Sequence, residues 1–261
     1  MKKGIGVGIE DFKKIIEEDC YYFDKTNYIE ELLKDRTEIK LFTRPRRFGK
    51  TLNMTTLKYF FDVRNAEENR KLFKDLYIEK SEYFKEQGQY PTIFITLKDT
   101  KKNNWEECYS KIKIILRDLY EEHSYIKDKL SINEKEEYDK ILFKKDDAEY
   151  DNALLNLTKY LYNYYQKKVV LLIDEYDSPL ITANQFGYYK EAINFFRDFL
   201  SSALKTNSNL KMGVLTGIVQ VAKEGIFSGL NNVKTYNILG DKFEIFFGLS
   251  EEEVEEALKY F

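Results

Sequence analysis

Residues 40–51 read KLFTRPRRFGKT, a short apolar run and a proline turn leading into Gly49-Lys50-Thr51. A strand that turns through Gly-Lys-Thr into a helix presents backbone N–H groups and a helix N-terminus to an anion. Lys50 then reaches terminal phosphates, and the Thr51 hydroxyl suits Mg²⁺. A second apolar run, Val169-Val170-Leu171-Leu172-Ile173, ends in Asp174-Glu175. Asp174 at such a strand end can hold the Mg²⁺ shell, and Glu175 can orient and deprotonate an attacking water. Taken alone, an acidic pair merely ends a strand. Together the two runs predict binding of Mg-ATP and its hydrolysis. A third run, Leu210–Leu215, closes at Thr216-Gly217. Thr216 is placed either to sense the γ-phosphate or simply to start a turn.

The loop departs from the full pattern G-x-x-x-x-G-K-[ST], which puts glycine where this chain has Arg44. Arg44, Arg46 and Arg47, three of eight arginines in the chain, crowd around Pro45. Guanidinium forks match phosphate oxygens. The expectation is that Arg44, Pro45, Arg46, Arg47, Phe48, Gly49, Lys50 and Thr51 together form the nucleotide cradle. The competing reading is a small nucleic-acid patch, a weak footprint in an acidic chain.

These residues need elements to hold them. Ile39–Thr43 reads as a buried strand, and Met54, Leu57, Phe60 and Phe61 recur at helical spacing after the loop. Thr92–Leu97 is a second strand, and Val169–Ile173 has the unbroken apolar character of a central parallel strand. Leu210–Leu215 is a fourth strand and Thr235–Leu239 a fifth. Short helices are expected over Asp11–Glu18 and Tyr28–Leu33. The stretch 103–166 reads as helical, with exposed or mobile segments near 133–147. Strands alternating with helices imply an α/β fold with a mostly parallel sheet, whose ligands bind at the carboxyl ends of the strands. The expected architecture is one P-loop NTPase domain over 1–261, with a helical insertion at about 103–166, between the second strand and the Asp174 strand.

Composition narrows the alternatives. The 261 residues carry a net charge of −3, with 33% charged and 43% hydrophobic residues. That excludes a globally basic nucleic-acid binder, and no apolar run of about 18 residues suggests a membrane span. Cys20 and Cys108 lack metal or redox spacing, so a reduced, cytoplasmic setting is expected. His123, the single histidine, sits between Glu122 and Ser124 and reads as a surface residue. One histidine leaves little scope for zinc or a Ser-His-Asp mechanism. No N-K-x-D-like guanine reader is present, so ATP is the default over GTP.

The chain resembles the AAA-ATPase-like family of bacterial P-loop proteins. The resemblance rests on Arg44–Thr51 (RPRRFGKT), Tyr22-Phe23-Asp24-Lys25-Thr26, Leu172–Asp177 (LIDEYD), Thr216-Gly217-Ile218 and the run 226–232 (IFSGLNN). It implies that Arg44 is a family trait and that the fold has an additional strand and a catalytic glutamate. It also implies Lys50 on phosphate, Thr51 and Asp174 on Mg²⁺, and Glu175 as base. Asp24 and Lys25 would lie near the nucleotide, or Asp24 would cap a helix. Relatives often carry arginine where this chain has Gln220, so an arginine finger is expected from another loop or subunit. Relatives also often continue into a C-terminal nuclease-like domain, and Glu251–Phe261 reads as a helix barely begun, as in a truncated product.

Overall fold

A computed structural model describes residues 2–220, 232–239 and 243–261. The part of the IFSGLNN run at 226–231 lies outside the described residues.

The strands are β1 (Ile39–Thr43), β2 (Thr92–Thr96), β3 (Val169–Asp174), β4 (Leu210–Gly217) and β5 (Val233–Tyr236). They form one parallel sheet in the order β2-β3-β4-β1-β5. β4 therefore separates the Gly-Lys-Thr strand from the Asp174 strand. All five strands point the same way, so the loops after β1, β3 and β4 open at one edge. Register brings their ends level: Phe42 pairs with Thr216, Thr43 with Gly217, and Ile173 with Leu215.

Every residue of β3 is buried, because side chains alternate between two apolar layers. Leu171 and Ile173 face one layer, Val170 and Leu172 the other. The helices are α1 (Phe12–Glu17), α2 (Asn27–Lys34), α3 (Lys50–Phe61), α4 (Ala66–Arg70), α5 (Trp105–Glu122), α6 (Ile132–Leu142), α7 (Ala153–Tyr165), α8 (Ser178–Phe186), α9 (Tyr189–Leu204) and α10 (Glu251–Tyr260). α2 and α3 cover one face of the sheet, while α5, α7 and α9 cover the other. Each fully buried aliphatic side chain there contributes about 1.5–3 kcal/mol.

The chain between β2 and β3 holds α5, α6 and α7 with short 3₁₀ turns. α6 begins on a capping box in which Ser131 and Glu134 exchange hydrogen bonds. It buries Tyr138 and Ile141, so the charged run there is the outer face of a packed helix.

Two expectations need correction. β5 begins at Val233 and ends at Tyr236, and Ile238 and Leu239 beyond it are exposed. His123 is not at the surface: it closes α5 and is 1% exposed. Its charged neighbours misled, because Glu122 turns outward to pair with Arg64 and Lys58 while the imidazole packs against Tyr125. Cys20 and Cys108 are both free thiols. No helix among the described residues is long and apolar enough to cross a membrane.

Candidate functional site

The loop between β1 and α3 turns on left-handed residues either side of Phe48: Arg47 at φ 68° and Gly49 at φ 69°. Glycine takes this conformation freely, whereas a residue with a Cβ takes it at a cost of about 1–2 kcal/mol. Gly49 caps α3, and its carbonyl accepts the Asn53 N–H at 2.9 Å.

Lys50 is buried at the start of α3, where its ammonium donates to the carbonyls of Arg44 (3.1 Å) and Pro45 (2.8 Å). Burial holds its pKa below the ordinary lysine value, against the opposing pull of Asp174, Glu175 and Asp177. Thr51 follows, and its hydroxyl donates to Asp174 Oδ2 at 2.8 Å. The Thr216 hydroxyl donates to the other oxygen, Oδ1. Asp174 thus sits between two hydroxyls from β4 and α3. Burial raises its carboxyl above the usual carboxylate range, and the two hydroxyls offset part of that rise. One carboxylate and one hydroxyl within 2.8 Å form an oxygen pair of the kind a hard divalent cation takes.

Glu175 also has a left-handed backbone, φ 52°. Burial works to raise its carboxyl, yet the Ser178 hydroxyl, then Lys101 and Lys50, together hold it below the ordinary range. Ser178 donates to Oε2 at 2.7 Å and Lys101 lies 3.2 Å from the same oxygen. Beyond it, buried Asp177 accepts the backbone N–H groups of Ile218 and Val219 at 2.8 and 2.9 Å. This tethers the segment after β4 to the segment after β3. The approach requires Gly217, since a Cβ there would lie 2.7 Å from the Tyr176 ring and 2.8 Å from Asp177.

The structure brings Lys50, Thr51, Asp174, Glu175 and Thr216 together. It does not place Arg44 as expected. That side chain is 1% exposed and points under the sheet edge, with Nη1 donating to the Thr43 and Tyr236 carbonyls at 2.9 and 2.8 Å. Its guanidinium stacks 4.7 Å from the Phe247 ring centre. Arg44 is an anchor for the loop, buried because β5 and the segment after it close over that edge. Arg46 and Arg47 remain exposed. Asp24 braces a turn, accepting from the Thr26 N–H and hydroxyl and from the Tyr77 N–H. Lys25 reaches Ile245 O at 2.8 Å and Glu253 at 2.5 Å. Arg197 lies half-buried along α9.

The family model for predicted AAA-ATPases matches residues 6–227, a stretch that includes each of these site residues. The chain belongs to that family. An uncharacterised protein in the vnfD 5′ region of Azotobacter chroococcum mcd 1 is 25% identical over 261 residues. The alignment takes in 97% of this chain and 44% of that protein, so the chain spans less than half the length of that relative. No solved structure matches the chain.

In this member of the predicted AAA-ATPase family, sequence reasoning missed the groups that hold Glu175. Ser178 lies three residues on, at the start of α8, a spacing that carried a signal. Lys101 comes from the turn after β2 and carried none. Also missed was the strap over the loop, where Gly248 N–H donates to Phe48 O at 3.2 Å and Asn53 Nδ2 donates to Phe246 O at 2.9 Å.

Proposed function

We propose that the chain binds Mg-ATP at the loop 44–51 and hydrolyses it. The observation that carries this reading is the Asp174 carboxylate, hydrogen-bonded by Thr51 from the Gly-Lys-Thr helix and by Thr216 from the intervening strand. Thr51 and Asp174 are the residues that would hold Mg²⁺, which when bound neutralises charge on the β- and γ-phosphates. The amides at the start of α3 face the phosphate oxygens. Lys50 exchanges the Arg44 and Pro45 carbonyls for the terminal phosphates. Its ammonium, already desolvated, stabilises charge there more strongly than it would in water. Glu175 accepts a hydrogen bond from the attacking water and takes its proton as the water adds in line to the γ-phosphorus and the bond to the β,γ-bridging oxygen breaks, with ADP as the leaving group. Thr216 fixes the orientation of Asp174 and stands beside the transferring group. Arg46 and Arg47 lie exposed at the mouth of the loop and supply guanidinium contacts there.

A second reading is a nucleotide-dependent switch with little turnover. It draws on the Glu175 carboxylate already engaged by Ser178 and Lys101, and on Gln220 in place of arginine. Calorimetric titration with Mg-ATP and single-turnover hydrolysis separate the readings. In the ATPase reading Lys50→Ala weakens binding, while Glu175→Gln spares binding and stops product formation. Equal loss of binding in both variants refutes the separate roles, and tight binding with negligible product in the unaltered chain establishes the switch. The reading takes residues 1–261 as one P-loop domain with the helical stretch 103–166 inserted.

A further inference from the structure

All eight arginines of the chain lie among the described residues, and all but two point elsewhere than the proposed nucleotide site. Arg36 precedes β1, at the opposite end of the sheet. Arg64 is held by Asp62 and Glu122 beyond the far end of α3, Arg70 lies over the Phe84 ring, and Arg117 pairs with Asp118 on α5. Arg197 lies midway along α9, and Arg44 is turned under the sheet edge. Arg46 and Arg47 are left at the edge where the strands end.

These two diverge. Arg47, left-handed at φ 68°, borders a cavity of about 220 Å³ with Tyr21, Phe48 and Leu52, whereas neither Arg46 nor Thr51 borders it. The Arg46 nitrogen belongs instead to the peptide whose carbonyl, that of Pro45, accepts the Lys50 ammonium at 2.8 Å. The exposed Arg46 side chain is therefore rooted beside the ammonium proposed to reach the terminal phosphates. Burial is the larger cause that holds the Lys50 pKa down, and the Arg46 charge adds to it, as a nearby cation must.

Resting on the proposed nucleotide site, we infer that Arg46 is the catalytic guanidinium of the hydrolytic step, supplied in cis by the loop itself. As the water oxygen bonds to the γ-phosphorus, the bond to the β,γ-bridging oxygen breaks and its electron pair stays on the ADP oxygen. Charge spreads over that oxygen and the three equatorial ones. A planar fork with parallel N–H donors spans two neighbouring phosphate oxygens, which the point charge of Lys50 does not. Arg46 donates to a γ-oxygen and to the bridging oxygen, an interaction that strengthens as the bond breaks. Its contribution is that of an arginine finger, about 10³–10⁵ in rate.

The test sets Arg46→Ala and Arg46→Lys beside the unaltered chain. Mg-ATP binding is read by calorimetry, hydrolysis by single turnover, and a third measurement follows binding of Mg-ADP with aluminium fluoride, a mimic of the transferring phosphoryl group. In Arg46→Ala, Mg-ATP affinity should fall less than about tenfold and turnover by about 10³ or more. The tightening that aluminium fluoride gives to Mg-ADP should fall by about the same factor as turnover. Arg46→Lys, which keeps the charge and loses the fork, should recover only part of either, and it carries the comparison if the alanine variant melts early. Mixing Arg46→Ala with Lys50→Ala should restore no turnover. Unchanged turnover, equal losses in Mg-ATP binding and turnover, or restored turnover in the mixture (which places the guanidinium on a partner) overturns the inference while the phosphate site stands. So does an unaltered chain that binds Mg-ATP and shows neither turnover nor fluoride tightening. Failure of the folded, unaltered chain to bind Mg-ATP refutes the phosphate site and the inference with it.

Discussion

Replacing His123 with phenylalanine should make the fold resistant to mild acid. The imidazole is 1% exposed, and its Nε2 is buried without a hydrogen-bond partner among the described residues. Its Nδ1 lies 3.3 Å from the Tyr125 hydroxyl. The charged groups around it are Arg64, Lys58 and Glu122. Burial lowers its pKa from 6.5 to about 3, with Arg64 adding to the fall and Glu122 opposing it. Between those values the unfolded chain binds a proton that the folded chain refuses, so stability falls as pH drops from about 6.5 toward about 3. At pH 5, about 1.5 pH units below the ordinary value and at about 1.4 kcal/mol per unit, this histidine alone lowers stability by about 2 kcal/mol. At pH 7 its contribution is near zero. Phenylalanine keeps a ring in the same space and cannot titrate. Urea unfolding of both proteins at pH 7 and pH 5 gives the comparison. The stability difference should move by about 2 kcal/mol in favour of His123→Phe at the lower pH. Parallel losses in the two proteins would show that the imidazole takes up its proton in the folded state and that its burial has no such effect.

Other tests bear on the nucleotide site. Thr216→Val removes the hydroxyl donor to Asp174 Oδ1, a hydrogen bond to a charged group worth about 1.5–3 kcal/mol. Single-turnover hydrolysis should slow by roughly ten- to a hundredfold, and unchanged turnover with a lowered melting temperature would make Thr216 a brace only. Arg44→Ala should destabilise the fold by about 2–3 kcal/mol, since it removes the donor to the Tyr236 carbonyl and empties the space over Phe247. Arg46→Ala, at an exposed position, should change stability by less than about 0.5 kcal/mol while weakening Mg-ATP binding. Thermal melts and calorimetry on the two variants check the contrast, and equal stability losses would contradict it.

Four of the five strands were legible because their apolar runs are strong, whereas β5 was expected over Thr235–Leu239 and lies at Val233–Tyr236. Val169–Ile173 is uniformly apolar, and only a strand covered on both faces hides all five residues. That Lys50, Thr51, Asp174 and Thr216 come together was legible because a parallel sheet sends every strand end to one edge. Arg44 was legible as a residue of the loop and illegible in direction. Its side chain follows a carbonyl of β5 and a ring at Phe247, contacts about 190 residues distant that no local pattern encodes. His123 failed for the opposite reason: its neighbours in sequence are polar, yet a helix end can turn one residue inward while the next faces water. Lys101 reaches Glu175 across two strand ends, a distance set by the β2–β3 register.

The strap over the loop makes the proposed nucleotide site part of a mechanical linkage. Phe48 O holds Gly248, Asn53 holds Phe246, and Arg44 carries Phe247 on its guanidinium face. Gly248 disfavours a side chain, because its φ of 80° strains one and a Cβ would lie a tight 3.1 Å from the Phe48 ring. Three residues later α10 begins, and Lys25 grips its first turn through Glu253. A shift of about 1 Å in the Phe48 carbonyl would stretch its bond to Gly248 beyond hydrogen-bonding range unless the strap moved with it. The loop and α10 are thus joined through the strap at Gly248, so a displacement of α10 would pull on the loop of the proposed phosphate site.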